Sequence, residues 1–172
     1  MTDRRFPIGA FVLQEDYSNE ELNSLIHILE TIPAEYRRLT EKLTDEELTK
    51  TYREGSWNIR QLVHHVADIQ FLQYFRMKKA LTEPDYKEMT IIDMNAWAAT
   101  SDAVNAPITH SLFILEGVLS RHAFFAKTLT PEQLSITYFH PGRGMWFNQK
   151  QAIAMAVWHV QHHLAHIRLA LE

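Results

Sequence analysis

Four of the chain's ten histidines fall within eight residues, in the stretch Trp158-His159-Val160-Gln161-His162-His163-Leu164-Ala165-His166. Imidazole is a metal ligand, a proton carrier and a hydrogen-bonding core group, so spacing decides which chemistry is on offer. The run from Gln149 to Leu171 holds no Gly or Pro, and its apolar periodicity predicts one helix. On a helix, residues three, four and seven apart share a face, which lines up His159, His163 and His166. An i,i+4 histidine pair presents two imidazoles to one metal ion. A third ligand must come from another element.

The spacing predicts four long helices to supply that element. The first starts at Ser18-Asn19-Glu20-Glu21, with a capping residue and acids in its first turn. Pro33 is expected to break or kink it before Tyr36–Leu43. Thr44-Asp45-Glu46-Glu47 has capping-box form and opens a short helix. Ser56 is read as the cap of a second long helix from Trp57 to about Leu81. An irregular connection through Trp97 follows, and Ala106-Pro107 opens a third long helix. Tyr138–Phe147, with Pro141, Gly142 and Gly144, is a loop or small hairpin, and Asn148 caps the histidine helix. The architecture expected is all-α, a four-helix bundle in a single domain over 1–172, a fold that builds metal sites between facing helices.

At about 100° per residue, His65 lies about 60° from the centre of the second helix's apolar stripe and His64 about 160° away. On the last helix His163 lies about 75° and His159 about 115° from the stripe centre, with His166 further off and His162 nearly opposite. The inward set is therefore His65, His159 and His163. Three neutral nitrogen ligands leave a coordination position open, the mark of a catalytic rather than a structural site. Zinc is the default ion, and nickel, cobalt or iron also accept imidazole. Asp68 and Gln61, near the face of His65, are candidates to orient an imidazole or a water, with Asp68 as general base. Arg76, and Arg143 beyond it, are candidates to hold an anionic group of the substrate. His27, His110, His122 and His140 are read as structural or exposed.

Composition narrows the partners. A net charge of -4 and a pI near 6.2 give no reason to expect nucleic acid or an anionic membrane surface. There is no cysteine, which removes disulfides, thiolate ligands and a cysteine nucleophile; any reactive thiol must come from a small molecule. Met-Thr-Asp-Arg-Arg-Phe-Pro lacks the apolar core of a signal peptide, and no apolar run approaches the roughly 18 residues of a membrane span. A soluble cytoplasmic protein acting on a small molecule is expected.

Trp57-Asn58-Ile59-Arg60-Gln61-Leu62-Val63-His64-His65-Val66-Ala67-Asp68 resembles the second-helix motif of the DinB/YfiT-like superfamily. The stretch Trp158–Ile167 is similar to the closing helix of its YfiT branch. Arg5-Phe6-Pro7-Ile8-Gly9-Ala10-Phe11, Arg76–Glu83 and His140-Pro141 also look like that branch. The resemblance implies a four-helix bundle, a divalent metal on His65, His159 and His163, and a homodimer. One departure stands out: where the branch often carries His-x-Arg-Trp, this chain has Leu119-Ser120-Arg121-His122.

Two enzyme readings follow. Members of the branch carry the label of metal-dependent hydrolase, and a metal-activated water would serve amide or ester cleavage. Related members are thiol-dependent transferases or isomerases using bacillithiol, mycothiol or glutathione, and an ionised low-molecular-weight thiol would attack an electrophile at the same position. A third reading is a non-catalytic metal-binding bundle, marked by a fourth protein ligand from His162, His166 or a carboxylate.

Overall fold

The computed structural model describes residues 3–83 and 85–172. In chain order it runs α1 (Asn19–Thr40), α2 (Asp45–Leu48), α3 (Ile59–Thr82), α4 (Met94–Ala98), α5 (Ser101–Asn105), α6 (Ile108–Lys127) and α7 (Pro131–Leu134). The hairpin β1 (Thr137–His140) and β2 (Met145–Asn148) then leads into α8 (Gln149–Leu171).

Four long helices close on one core, each of α1 and α3 packing against both α6 and α8. Their apolar stripes meet at Leu29, Leu62, Val66, Leu115, Leu119, Ile153 and Ile167, all out of solvent. Burying such side chains is worth about 1.5–3 kcal/mol each, which is what holds the helices together. Tyr36 reaches through this core to donate its hydroxyl to the Val160 carbonyl at 2.7 Å. That bond fixes α1 against α8 one residue from His159.

The ends of the site-bearing helices are set by reciprocal caps. Asn58 and Gln61 exchange hydrogen bonds at the start of α3, and Asn148 and Gln151 do the same for α8. Each satisfies two amide groups that a helix start would leave open. Ser56, read as the α3 cap, instead donates to the Arg53 carbonyl in the preceding turn. Gln61 is consumed by its cap and by a 2.8 Å bond to the Ala98 carbonyl, so it does not reach an imidazole. Pro33 does not break α1, which runs through it to Thr40 with the ring buried. The loss of one backbone donor is offset there by packing. The connection expected to be irregular through Trp97 ends in the single-turn helix α4, and a second, α5, follows before α6.

Tyr138–Phe147 is a hairpin, its four paired rows running from Thr137 opposite Asn148 to His140 opposite Met145. Gly144 at φ 65° supplies the left-handed residue its turn needs. The hairpin delivers the chain directly into the first turn of α8. The N-terminal arm runs antiparallel along α8: Arg4 donates to the Leu169 carbonyl, Trp158 to the Gly9 carbonyl and Gln151 to the Gln14 carbonyl. This arm covers a face of α8 that would otherwise be wet. No helix among the described residues is long and apolar enough to cross a membrane.

Candidate metal centre

Because α3 and α8 are neighbours, His65 meets His159 and His163. The three offer ligand nitrogens that all lie within 4.8 Å of one another, and the Nε2 atoms of His65 and His159 are 3.2 Å apart. A tetrahedral ion with metal–nitrogen bonds of about 2.0–2.1 Å has ligand atoms about 3.3 Å apart. The spacing fits. All three rings are buried, and burial holds their protonation down: His65 to about 4, and His159 and His163 well below the usual imidazole value, with repulsion between the rings adding to it for the last two. Three imidazoles that stay neutral at cellular pH are ligands without having to lose a proton first.

A hydrogen-bond detail bears on the same fit. Gln70, with no exposed surface, donates through Nε2 to the Ala156 carbonyl and to His159 Nδ1 at 3.3 Å, while its Oε1 is buried with no partner. With Nδ1 accepting, His159 carries its proton on Nε2 and donates to His65. Ligation through Nε2 requires the His159 proton on Nδ1 instead; the same amide turned over would meet it with Oε1, at the cost of the Nε2 bond to the Ala156 carbonyl. Carbonyl or carboxylate acceptors behind ligand imidazoles are the usual support of such sites.

The histidines form one wall of a cavity of about 530 Å³. Trp57, Ile69, Met89, Phe147 and Trp158 make it largely apolar, and Arg76, His140 and Arg143 bring polar groups to it. No carboxylate lines it among the described residues. Arg76 is buried and its guanidinium donates from Nε to the Thr90 carbonyl at 3.0 Å and again from Nη2. His140 has a buried Nδ1 with no partner. Burial first, then Arg143 and Arg76, lower its pKa.

The other sequence candidates are placed differently. Asp68, the candidate base, is not in this cavity; it lines a separate groove with Phe71, Tyr74, Phe113 and Arg121 on the α3–α6 face. Burial, then Asp102, raises its pKa to about 6. Arg121 lies over the Tyr74 ring in that groove. His64, expected to face solvent, is buried against α6, where its Nε2 is 3.2 Å from the Ala106 carbonyl and its Nδ1 2.7 Å from the Ser111 hydroxyl. His162 and His166 are also buried, beneath the arm: His162, which reaches the edge of the cavity as well, lies between Trp158 and Phe6, and His166 stacks on Tyr52 at 3.8 Å. Sequence periodicity did not single out His140, which lines the cavity, or Gln70, which meets His159 from behind.

Comparison with known proteins gives a consistent grouping. The family model described as the DinB superfamily matches residues 28–167. A Halalkalibacterium halodurans protein provisionally named a metal-dependent hydrolase is 41% identical over 169 residues, covering 98% of this chain and 97% of its own length. YfiT of Bacillus subtilis, provisionally named likewise, is 35% identical over 162 residues, covering 94% and 90%. The solved YfiT structure superposes with a TM-score of 0.92 at 34% identity over 96% of this chain and 94% of that one. A variant of the mycothiol-dependent maleylpyruvate isomerase superposes at 0.68 with 15% identity, over 85% of this chain and 60% of that one, and shares the fold.

Proposed function

The chain belongs to the DinB superfamily, among its YfiT-like proteins, and from that premise we propose that it is a metal-dependent hydrolase of small molecules. His65, His159 and His163 would hold one divalent ion, zinc before nickel by ligand type. The observation that carries this reading is the meeting of three neutral, buried imidazoles on the wall of an open apolar cavity. When bound, the ion would supply Lewis acidity to a substrate oxygen and bring the pKa of a water molecule towards neutrality.

The chain's own residues supply the rest. His140, which lines the cavity and is kept neutral by burial, is the residue we assign to take a proton from the nucleophile, the role first sought in Asp68. Arg76 and Arg143 put two positive charges on the cavity with no carboxylate opposite them, which suits an anionic group on the substrate. Trp57, Phe147 and Trp158 keep bulk water out. His140→Ala is expected to lower kcat about a hundredfold, at the low end of general-base contributions. Asp68→Asn should leave kcat and KM unchanged. Steady-state kinetics of the two variants side by side decide between the two bases, and the reverse ranking would restore Asp68.

The cationic, carboxylate-free cavity also favours a second reading, a thiol-dependent S-transferase of the bacillithiol type. The sequence has no cysteine, so the thiol would enter as a co-substrate and be deprotonated at His140. One experiment separates the readings: the zinc- or nickel-loaded protein is given anionic esters, amides and alkyl halides in H₂¹⁸O, with and without a low-molecular-weight thiol. Product carrying ¹⁸O supports hydrolysis, a thioether adduct supports transfer, and neither product with any metal refutes both.

The expected homodimer would cover the α3–α6 face, where Phe113 is 65% and Phe124 72% exposed. Two exposed aromatic rings eleven residues apart on α6, and so on one side of it, support this placement. Sedimentation should give twice the monomer mass, and Phe124→Glu should halve it; a monomeric wild type would refute this assembly.

A further inference from the structure

We propose that His166 is a positioning residue for the metal centre, and that it ties that centre to the N-terminal arm through the Arg5 carbonyl. The inference rests on the reading of His65, His159 and His163 as ligands. It concerns the nitrogens of one of them.

A backbone carbonyl oxygen can only accept a hydrogen bond. His166 Nε2 lies 3.3 Å from the Arg5 carbonyl, so this nitrogen carries the proton and donates. A neutral imidazole has one N–H, which leaves His166 Nδ1 as an acceptor. That acceptor lies 3.3 Å from His163 Nδ1. His163 must then hold its own proton on Nδ1, and its Nε2 is left with a free lone pair. Nε2 is therefore the nitrogen available to an ion. One carbonyl of the arm thus sets the tautomers of two histidines in sequence.

The relay is held on all sides. His166 is 2% exposed and its ring lies flat on Tyr52, 13° from parallel. Asp3 accepts from the Arg5 backbone N–H at 2.9 Å and from its guanidinium. Downstream of Arg5, Trp158 donates to the Gly9 carbonyl. Docking of the arm and filling of the centre are then linked: whatever strengthens one strengthens the other by the same factor. A different use of these atoms is a second ion held by His162, His163 and His166, whose nitrogens also lie within 4.8 Å of one another. Held through the two Nδ1 atoms of the 3.3 Å pair, it would require protons to be absent from both. The tautomers deduced from the Arg5 carbonyl leave one there.

The test is a titration with Co²⁺ alone, followed by its visible absorption, on wild type, His166→Phe, His166→Asn and His163→Ala. Phenylalanine keeps the stack on Tyr52 but accepts nothing, and should weaken Co²⁺ binding about 10–100-fold, the usual effect of losing a partner behind a metal ligand. Asparagine places an oxygen near the position of Nδ1 and should recover most of that loss, which a packing role would not. Nitrogen-15 NMR of the zinc-loaded wild type should show His163 protonated on Nδ1 and His166 on Nε2. Equal Co²⁺ affinity in wild type and His166→Phe, no recovery by asparagine, or the opposite tautomers would overturn the relay while leaving the centre. Two equivalents of Co²⁺ in wild type would replace it by the second ion. No Co²⁺ bound by wild type, as by His163→Ala, would overturn the centre itself and the relay with it.

Discussion

Alanine at position 163 is expected to strip the protein of its metal and, with it, of every metal-dependent gain in stability. His163 is the most enclosed by other rings of the three candidate ligands: its ring centroid lies 4.9 Å from that of His65 and 4.6 Å from that of His159. Its loss leaves two nitrogens on a cavity wall, too few to close a site. For the wild type, zinc at a thousand times its Kd adds about 4 kcal/mol by mass action. In a domain of this size each kcal/mol moves Tm by about 2–4 °C, so the shift on adding zinc should be about 8–16 °C. His163→Ala should show none of it, and should carry well below one equivalent of metal by elemental analysis after purification. The comparison is made within each protein, with and without zinc, which removes any change in packing caused by the substitution. A mutant that still rises in Tm with zinc and still holds one equivalent would mean that the ion sits elsewhere.

How far such a site could be read from sequence depended on what covers each helix. His65, His159 and His163 were legible because their helices face one another, and the apolar stripe of each points at that contact. The burial of His162 and His166 was not legible, for a physical reason. Their face of α8 is turned from the bundle, but residues 3–16 and Tyr52 lie over it, and a helical wheel has no knowledge of a strap. His64 was misread in the same way, since α3 is buried nearly all round its axis and has no wet face at that level. Asp68, which lines a separate groove, shows the complementary case. It lies three residues from His65, yet α6 packs on one flank of α3 and α8 on the other, so a small angular step changes the neighbour altogether. His140 had no periodic signal at all. It reaches the cavity because a hairpin folds the chain back before α8, and only tertiary closure brings it there. Gln70 offered one clue, an amide in an otherwise apolar run beside Ile69 and Leu72. The fold itself was legible from caps and stripes, with Asn148 and Thr44 placed correctly and Ser56 displaced by two residues to Asn58.

Acid should unfold the metal-free protein in a window set by its buried histidines rather than by its carboxylates. His122 is the cleanest case, lying far from the candidate ligands. It has no exposed surface, its Nδ1 has no partner, and its Nε2 meets only the Met77 sulfur at 3.1 Å. Burial lowers its pKa to about 4, and the same cause takes His65 and His162 to about 4. In the unfolded chain each titrates near 6.5. Between about pH 6.5 and 4 the unfolded state therefore binds a proton that the folded state refuses, so stability falls as pH falls, by up to about 1.4 kcal/mol per unit for each such group. Over the window His122 alone withdraws about 3 kcal/mol, a large part of the 5–15 kcal/mol typical of a whole domain. Asp68 works in the opposite sense: its folded pKa is raised to about 6, so its protonation on acidification returns some stability. One such carboxyl offsets only a part. The exposed carboxylates whose pKa values are lowered by hydrogen bonds, such as those of Asp16, Glu21 and Glu47, keep their contribution until lower pH. Urea unfolding in chelator at pH 7.5, 5.5 and 4.5 should show the decline. In His122→Leu the slope should be shallower by about 1.4 kcal/mol per pH unit, one proton's worth, whatever the mutation does to stability at pH 7.5. A slope unchanged by that substitution would mean that His122 takes its proton in the folded state, and that the core opens to water where the helices α3 and α6 meet.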